Sequence, residues 1–551
     1  MGIGLLGPYI SIAMDQSKVD EIGIIVFIFD TFNLEISAIN FISLCMILIF
    51  SFRFILAILF NKMILSFCRD IQVNLRSDLM KSYQNMPYEE FIENDSSDAI
   101  SNTTVITMYF TNNVLFMTLK AFAEIVLALF LFLFLVFVNG KLVLILSIGL
   151  CLLVTLYTNL FKSKMISYGK NINIANSNLV QAVKQSMEGI KEVRVLGKEN
   201  FFYEKYISNA KTYGDFHAKS ILINTGSRYF MEFSIISFFV LAISASSILM
   251  SENPSNIFST LGVFGFAAIR LLPGVNIIST AILQLRSQKN TVDRLYDAVK
   301  KLDQSIVDKN SFKKRKLQNE DTFESIRLKG IGYIYPKSQS NVLNDINFEV
   351  HAGESVGIIG PSGSGKTSLV DIILGLLKPH SGEITLNGKP LKEVEESWRS
   401  MTAYIPQESL IINETLNTNI QLEQNASIND NLNNSISQAQ LSKVVDSLPE
   451  GLMTNLGESG VRLSGGQRQR VALARAIFHS RDVLIFDEAT SALDSETETE
   501  VVNEITRMKG LKTMIVIAHR THTLRFCDRI YRLENGSIAE VGTPKEMLGL
   551  D

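Results

Sequence analysis

The chain of 551 residues is apolar and nearly balanced in charge. Hydrophobic residues make up 47% of it, charged residues only 19%, and the mean hydropathy is +0.20, so part of the chain must lie in lipid. The formal net charge of −3 excludes the basic excess that nucleic-acid binding requires, and no nucleic-acid partner is expected. A chain of this length is too long for one hydrophobic core and predicts two or three domains.

Residues 1–302 predict a membrane domain. A helix needs about 20 apolar residues to cross the hydrocarbon core, and apolar stretches of that order occur at 36–60, 114–138, 142–161, 221–250 and 257–282. The stretch 1–14 is shorter, and we interpret it as the end of a helix that begins upstream of Met1. Counted with the others, it predicts a polytopic α-helical domain of six spans, the first one truncated. Asn139-Gly140-Lys141 predicts a tight turn between the third and fourth spans.

The segments between the spans differ in charge. Residues 162–219 are rich in lysine and arginine, whereas 15–35 and 251–255 carry little positive charge, which places the basic segment on the cytoplasmic side. The long excursions after the second and fourth spans predict helices that extend past the bilayer and end in short transverse segments, which contact a cytoplasmic domain near 87–92 and 212–218. The chain is therefore expected to be a multi-pass protein of the cytoplasmic (inner) membrane, surrounded by membrane lipid.

Several charged residues lie within the predicted spans. A charge in hydrocarbon costs about 3 kcal/mol or more unless it faces a cavity or a partner. Arg53 and Arg270 have no acidic residue nearby in the sequence, and we expect both to line a cavity that binds an anionic substrate. Arg228 and Glu232 lie at positions i and i+4 of one helix face, and the sequence leaves open whether they form a structural ion pair or serve the substrate.

A charged linker at 303–322 leads to residues 323–551, which predict one α/β domain. Within it, Gly360–Thr367 fits the G-x-x-x-x-G-K-[ST] phosphate loop between an apolar strand and a helix. Lys366 is expected to reach the β- and γ-phosphates of a nucleoside triphosphate, and the Thr367 hydroxyl to bind Mg2+. The residues predicted to bind the nucleotide here are Gly360, Pro361, Ser362, Gly363, Ser364, Gly365, Lys366, Thr367 and Ser368.

A second apolar strand, 483–486, ends in two carboxylates, Asp487 and Glu488. A buried strand that delivers carboxylates at its C-terminal end can hold a metal ion and polarise an attacking water. We assign Asp487 to Mg2+ and Glu488 to the general base.

The run Leu463-Ser464-Gly465-Gly466-Gln467, which precedes an arginine-rich helix, resembles the signature of the ABC ATPases. The resemblance implies a set of further site residues: Tyr335 stacking on adenine, Gln407 at the metal and in catalysis, Asp494 of the loop Ser491–Asp494 at the nucleotide, and His519 in catalysis. It also implies ATP and Mg2+ as cofactors. In that family two domains pair head to tail, so that Ser464 and Gly466 of one subunit close over the γ-phosphate held by the other.

The whole chain resembles a bacterial half-transporter of the exporter type of ABC protein, in which a membrane domain is fused to an α/β P-loop ATPase domain. This resemblance implies a homodimer. Within the group, the short apolar stretch 22–32 and the run Arg270–Pro273 resemble the lipid-linked oligosaccharide flippases of bacterial protein glycosylation, whose substrate is amphipathic. A multidrug or peptide exporter is the alternative, and an ATP-gated regulator that does not pump is an alternative of another class. The sequence leaves open the substrate and whether the partner is a second copy or a paralogue.

Overall fold

A computed structural model describes residues 38–93, 96–249, 254–305, 322–336, 338, 340–424, 426–488, 495–518 and 521–549. The chain forms two compact units. The first comprises Met1–Met86 and Glu93–Lys309, and the second comprises Pro87–Ile92 and Asn310–Asp551. Most of the linker expected at 303–322, and the predictions for residues 1–37, lie outside the described residues.

The described part of the first unit is helical. In chain order the helices are α1 (Ala38–Asn85), α2 (Tyr88–Glu93, which belongs to the second unit as far as Ile92), α3 (Ser96–Ser101), α4 (Phe116–Leu160), α5 (Lys162–Glu188), α6 (Ile190–Val195), α7 (Glu199–Leu249), α8 (Pro254–Ser287) and α9 (Lys289–Ser305). Between α3 and α4 the chain stays helical, with π-helical turns at Asn102–Ile106 and Phe110–Leu115.

Two helical stretches in the described residues, Ile39–Asn85 and Ser96–Leu133, are long and apolar enough to cross a membrane. The first confirms that the predicted span near 36–60 continues as one helix well past its apolar part. Its large apolar side chains, such as Phe52 and Phe60, are exposed in the single chain, as expected of a helix whose solvent is hydrocarbon.

Two sequence predictions in this unit are wrong in detail. The residues Asn139-Gly140-Lys141 lie inside α4, which runs unbroken from Phe116 to Leu160. Gly140 is their one strong helix breaker, and a single glycine costs only about 1 kcal/mol in a helix flanked by long apolar runs. The transverse segment predicted at 212–218 lies inside α7; the helix breaks fall earlier, around Gly189 and at Gly197, which has φ +62°.

The core of the first unit joins α4, α5, α7 and α8. Met165, Met231 and Leu283 are fully buried in it. Ser227 on α7 and Ser279 on α8 are also fully buried, and their hydroxyl oxygens lie 2.6 Å apart, so each satisfies the other where water is absent. The Arg228 guanidinium donates to the Glu232 carboxylate at 2.9 Å, which confirms the structural ion pair.

The second unit is an α/β domain with two sheets. Its strands are β1 (Ser325–Tyr333), β2 (Leu343–His351), β3 (Ser355–Ile359), β4 (Ser381–Leu386), β5 (Lys389–Pro390), β6 (Thr402–Ile405), β7 (Val483–Asp487), β8 (Thr513–Ile517), β9 (Arg529–Glu534) and β10 (Ser537–Gly542). The smaller sheet is antiparallel, in the order β2-β1-β4-β5, and the larger has the order β10-β9-β3-β8-β7-β6.

Nine α-helices accompany the described strands. They are α10 (Lys366–Ile373), α11 (Glu395–Met401), α12 (Leu416–Gln421), α13 (Asp430–Gln438), α14 (Ser442–Ser447), α15 (Gly465–Phe478), α16 (Ser495–Arg507), α17 (Thr521–Leu524) and α18 (Pro544–Leu548). In the larger sheet β9, β3, β8, β7 and β6 are parallel. Their C-terminal ends therefore meet at one edge, where loops carry functional side chains in such sheets.

Candidate functional site

The phosphate loop joins β3 to α10. Both of its ends are apolar and fully buried, with Val356 and Ile358 on the strand and Ile372 on the helix, so the loop between them is held firmly. Gly365 caps the helix in the left-handed region, at φ +102°, and a Cβ there would lie 2.7 Å from Leu343 Cδ2. The first turn of α10 has no side-chain cap, which leaves its backbone N–H groups to an anion.

Lys366 folds back over this loop. Its Nζ donates to the carbonyl oxygens of Gly360 and Pro361, both at 2.9 Å, and only 8% of the residue is exposed. Burial lowers the pKa of the ammonium, while the charges of Glu488 and Asp487 oppose that shift. The Ser364 hydroxyl is buried in the same loop and has no hydrogen-bond partner among the described residues. A phosphate group would satisfy both.

The two carboxylates at the end of β7 have different partners. The Tyr404 hydroxyl donates to Asp487 Oδ2 at 2.9 Å, and Gln407 Nε2 donates to Glu488 Oε2 at 3.0 Å. Glu488 adopts φ +49°, an uncommon conformation for a residue with a Cβ. Burial raises the pKa of the Asp487 carboxyl, as does the charge of Glu488, whereas the Tyr404 hydrogen bond and Lys366 lower it.

The residues predicted to bind Mg2+ offer oxygen. Tyr404 occupies Oδ2 of Asp487 and leaves Oδ1 for a cation, while Gln407 uses its amide nitrogen toward Glu488 and keeps its carbonyl oxygen. Hydroxyl, carboxylate and amide oxygens are the hard ligands that Mg2+ takes, completed by phosphate and water. These residues therefore fit the metal that the sequence implies.

Tyr335 follows β1, close to the start of α10. Its ring meets Tyr333 edge-on, with centroids 5.0 Å apart, and its hydroxyl lies 3.0 Å from Ser368 Oγ. The aromatic residue predicted to stack on adenine is thus adjacent to the helix that follows the phosphate loop. Ser368, predicted to bind nucleotide, uses its hydroxyl for Tyr335.

The predicted signature begins α15. Ser464 is its N-cap, and a capping box forms in which the Gln467 N–H donates to Ser464 Oγ at 3.3 Å and the Ser464 N–H donates to Gln467 Oε1 at 2.8 Å. Leu463 is buried. Within the described part of this single chain, no hydrogen bond joins Leu463–Gln467 to the phosphate loop. The exposed end of α15 is available to a ligand or another chain.

The structure leaves several predicted residues untested. Asp494, with the loop Ser491–Asp494, and His519 lie outside the described residues. Arg53 is exposed on α1. Arg270 lies on α8, and its side chain is not among those described. Substrate roles for both arginines stay predictions.

Sequence analysis missed Tyr404. A tyrosine in a strand is typical of packing, so the residue type gave no signal. Only its position beside β7, with Tyr404 opposite Ile485 and Ile405 opposite Phe486, would have indicated that the hydroxyl reaches Asp487.

The contact predicted near 87–92 is confirmed, because Pro87–Ile92 belongs to the second unit. The Tyr88 ring packs against the buried cluster that contains β1 and α10. The Glu89 carboxylate accepts the Lys378 N–H at 3.1 Å. This segment of the amino-terminal half is therefore built into the α/β domain.

Two family models match the chain: the ABC transporter transmembrane region at residues 4–268 and the ABC transporter at 343–491. An ATP-dependent lipid A-core flippase of Aromatoleum aromaticum is 26% identical over 86% of this chain and 78% of its own. One of Polaromonas is 27% identical over 94% and 86%. A bacterial Atm1-family ABC exporter with ATP bound has a similar fold, with a TM-score of 0.78, 21% identity, and coverage of 93% of this chain and 90% of that one.

Proposed function

Because this chain belongs to the ABC transporter family, as a half-transporter of the exporter type, we propose that it flips an amphipathic, lipid-linked glycan across the cytoplasmic membrane as a homodimer. The chain is a membrane exporter with a cytoplasmic, ATP-hydrolysing domain. The observation that carries the catalytic part of the proposal is the convergence of Lys366, Asp487, Glu488 and Gln407 at one edge of the larger sheet.

Each residue in this site has a proposed task. Lys366 and the N–H groups that open α10 hold the phosphates. Thr367, Asp487 and Gln407 hold Mg2+, which neutralises phosphate charge when bound. Glu488 accepts a proton from the attacking water, and the Gln407 amide, 3.0 Å from its carboxylate, keeps the base oriented. His519 and Asp494 complete the site by family resemblance.

The proposed homodimer rests on the content of one copy, which carries a single membrane region and a single ATPase region. Its signature makes no hydrogen bond to its own phosphate loop within the described residues. Pairing two copies head to tail would bring the exposed start of α15, with its N-cap Ser464, to the partner's nucleotide, where a helix N-terminus stabilises anionic phosphate. Two identical composite sites would result.

The lipid-linked substrate is supported by the flippases among the relatives, which are named for lipid A-core. Two arginines lie on helices of the membrane unit, Arg53 on α1 and Arg270 on α8. A guanidinium binds phosphate or carboxylate in a bidentate manner, so both suit an anionic headgroup attached to an acyl chain.

The test is transport by purified protein in liposomes. Lipid-linked glycans should stimulate ATP hydrolysis and change leaflet in an ATP-dependent manner, whereas soluble peptides and dyes should do neither. The matched control is Glu488→Gln, which should bind each substrate without moving it. Stimulation by dyes or peptides alone would replace the proposal with multidrug or peptide export, and substrate-independent opening without net flipping would replace it with an ATP-gated regulator.

A further inference from the structure

Tyr404 lies on β6, the outermost strand of the larger sheet, beside β7. Its side chain extends along the sheet edge to the residue that ends β7, and its hydroxyl donates to Asp487 Oδ2 at 2.9 Å. The residue remains 40% exposed. A tyrosine hydroxyl on an edge strand can hydrogen-bond to solvent. Here it contacts a carboxylate at the end of the neighbouring strand instead.

The hydrogen bond orients Asp487. The Tyr404 hydroxyl occupies Oδ2 and restricts rotation of the carboxylate group, so that Oδ1 is the oxygen left for a cation. Strands β6 and β7 pair in parallel, with Tyr404 opposite Ile485 and Ile405 opposite Phe486, so the sheet itself holds the donor beside the acceptor.

We propose that Tyr404 is a positioning residue, which orients the Asp487 carboxylate so that Oδ1 can bind the Mg2+ of the Mg2+–ATP complex. The inference rests on the proposed role of Asp487 as a metal ligand. Tyr404 lies on β6, and so belongs to neither the phosphate loop, the signature nor β7, at whose end the carboxylates lie.

The test removes one oxygen atom. In Tyr404→Phe, the Mg2+ concentration that half-maximally tightens binding of a fluorescent ATP analogue should rise about tenfold, the lower range for a hydrogen bond to a charged group. Affinity for the analogue in EDTA should not change. Binding of Mn2+ with nucleotide, followed by electron paramagnetic resonance, gives a second readout that does not depend on hydrolysis.

Tyr531→Phe is the matched control. Tyr531 is also a tyrosine of the larger sheet, and its hydroxyl donates to the Glu349 carbonyl at 3.3 Å, away from both carboxylates. The control should keep wild-type Mg2+ dependence. If Tyr404→Phe instead lowers both the unfolding temperature and the affinity for the analogue in EDTA, Tyr404 has a packing role and the inference is overturned.

Asp487→Asn separates this inference from the function on which it rests. If Asp487→Asn leaves the Mg2+ dependence unchanged, the proposed metal role of Asp487 fails. If Asp487→Asn raises the Mg2+ requirement and Tyr404→Phe does not, the positioning role alone fails. The inference predicts a third pattern, in which each single variant raises the requirement and the double variant is no worse than Asp487→Asn.

Discussion

Glu488 and Asp487 are adjacent in sequence, yet their side chains accept hydrogen bonds from different partners, which fits the different roles proposed for them. Gln407 holds Glu488 at 3.0 Å, while Tyr404 holds Asp487 at 2.9 Å. In the proposed site, the Gln407 amide would orient the general base, and the Tyr404 hydroxyl would occupy one oxygen of the Mg2+ ligand.

Replacing Glu488 with Gln should therefore remove hydrolysis and preserve nucleotide binding. Loss of a general base typically lowers the rate about 10²- to 10⁴-fold, whereas the Lys366 contacts to its loop are untouched. Steady-state phosphate release and equilibrium ATP binding check the two halves of the prediction. A rate within a few-fold of the wild type would move the base elsewhere, with His519 as the first candidate.

Asp371 on α10 gives stability a pH dependence. Only 8% of the residue is exposed, and burial, with the charge of Asp487, raises its pKa to about 6, against about 3.9 in an unfolded chain. Between these values the folded state binds more protons than the unfolded state. The contribution of Asp371 to stability is therefore greatest below about pH 4, falls as the pH rises toward 6, and stays reduced above it.

Asp371→Asn should remove this loss, because the amide has the same size and no charge. We expect the variant to be about 2 to 3 kcal/mol more stable than the wild type at pH 8, with a smaller difference at pH 5. Unfolding of the nucleotide-free protein in denaturant at the two pH values measures it. Equal differences at both would mean that packing, not charge, separates the two side chains.

At this scale the sequence predicted the phosphate loop and the paired carboxylates, since each has fixed spacing on a strand or helix, and their roles toward a nucleotide stay predictions. It could not predict Tyr404 or Asp371. Their importance arises from a strand neighbour and from burial, and neither is encoded by a local pattern.

Among the elements, the long helices were easier to predict than their breaks. The continuation of α1 past its apolar part followed from helical periodicity, but the break after α5 falls near Gly189 and Gly197 and not at 212–218. Apolar runs determine that a helix exists. Its end depends on contacts made by the next element.

The π-helical turns before α4 are a second feature that the sequence did not reveal. Each π turn changes the backbone hydrogen-bond pattern, and Arg76 of α1 donates to the Thr104 carbonyl at 2.9 Å and to Thr107 Oγ1 at 3.2 Å. The Arg76 guanidinium thus joins α1 to the π-helical turn at Asn102–Ile106. Such turns are frequent at functional sites.

Arg76→Met should lower the stability of the membrane unit by about 1 to 2 kcal/mol, because it removes two hydrogen bonds and leaves the Thr104 carbonyl without this donor. Arg69→Met is the matched control. Arg69 lies two turns earlier on α1 and contacts only its helix neighbours Asp70 and Ser66 in the described structure. Thermal unfolding in detergent should separate the two variants, and equal melting temperatures would contradict the prediction.

For the whole molecule, length predicted two or three domains and composition placed part of the chain in lipid, but neither predicted the assembly. Because a half-transporter carries one signature and one phosphate loop, a substitution in the signature of one copy is predicted to act on the nucleotide bound by the other copy. Ser464→Arg should block ATP hydrolysis although Ser464 makes no hydrogen bond to its own phosphate loop in the described residues.

Mixing Ser464→Arg subunits with Lys366→Ala subunits tests this arrangement. In a head-to-tail dimer both lesions fall in one composite site and the other site is intact, so mixed dimers should occlude ATP while neither parent does. Trapping of radiolabelled ATP in purified mixed dimers measures the recovery. No recovery in verified mixed dimers would argue against head-to-tail pairing.

The placement of Pro87–Ile92 in the second unit also determines the order of biogenesis. A ribosome releases Tyr88 and Glu89 long before it reaches Tyr333 or Lys378, which belong to the surroundings in which the segment is finally held. Domains generally fold as units while the chain is being made. The α/β domain differs, because its segment Pro87–Ile92 is synthesised well before the rest of it. A carboxy-terminal half made alone would therefore lack Tyr88 over its apolar cluster and the Glu89 acceptor for the Lys378 N–H.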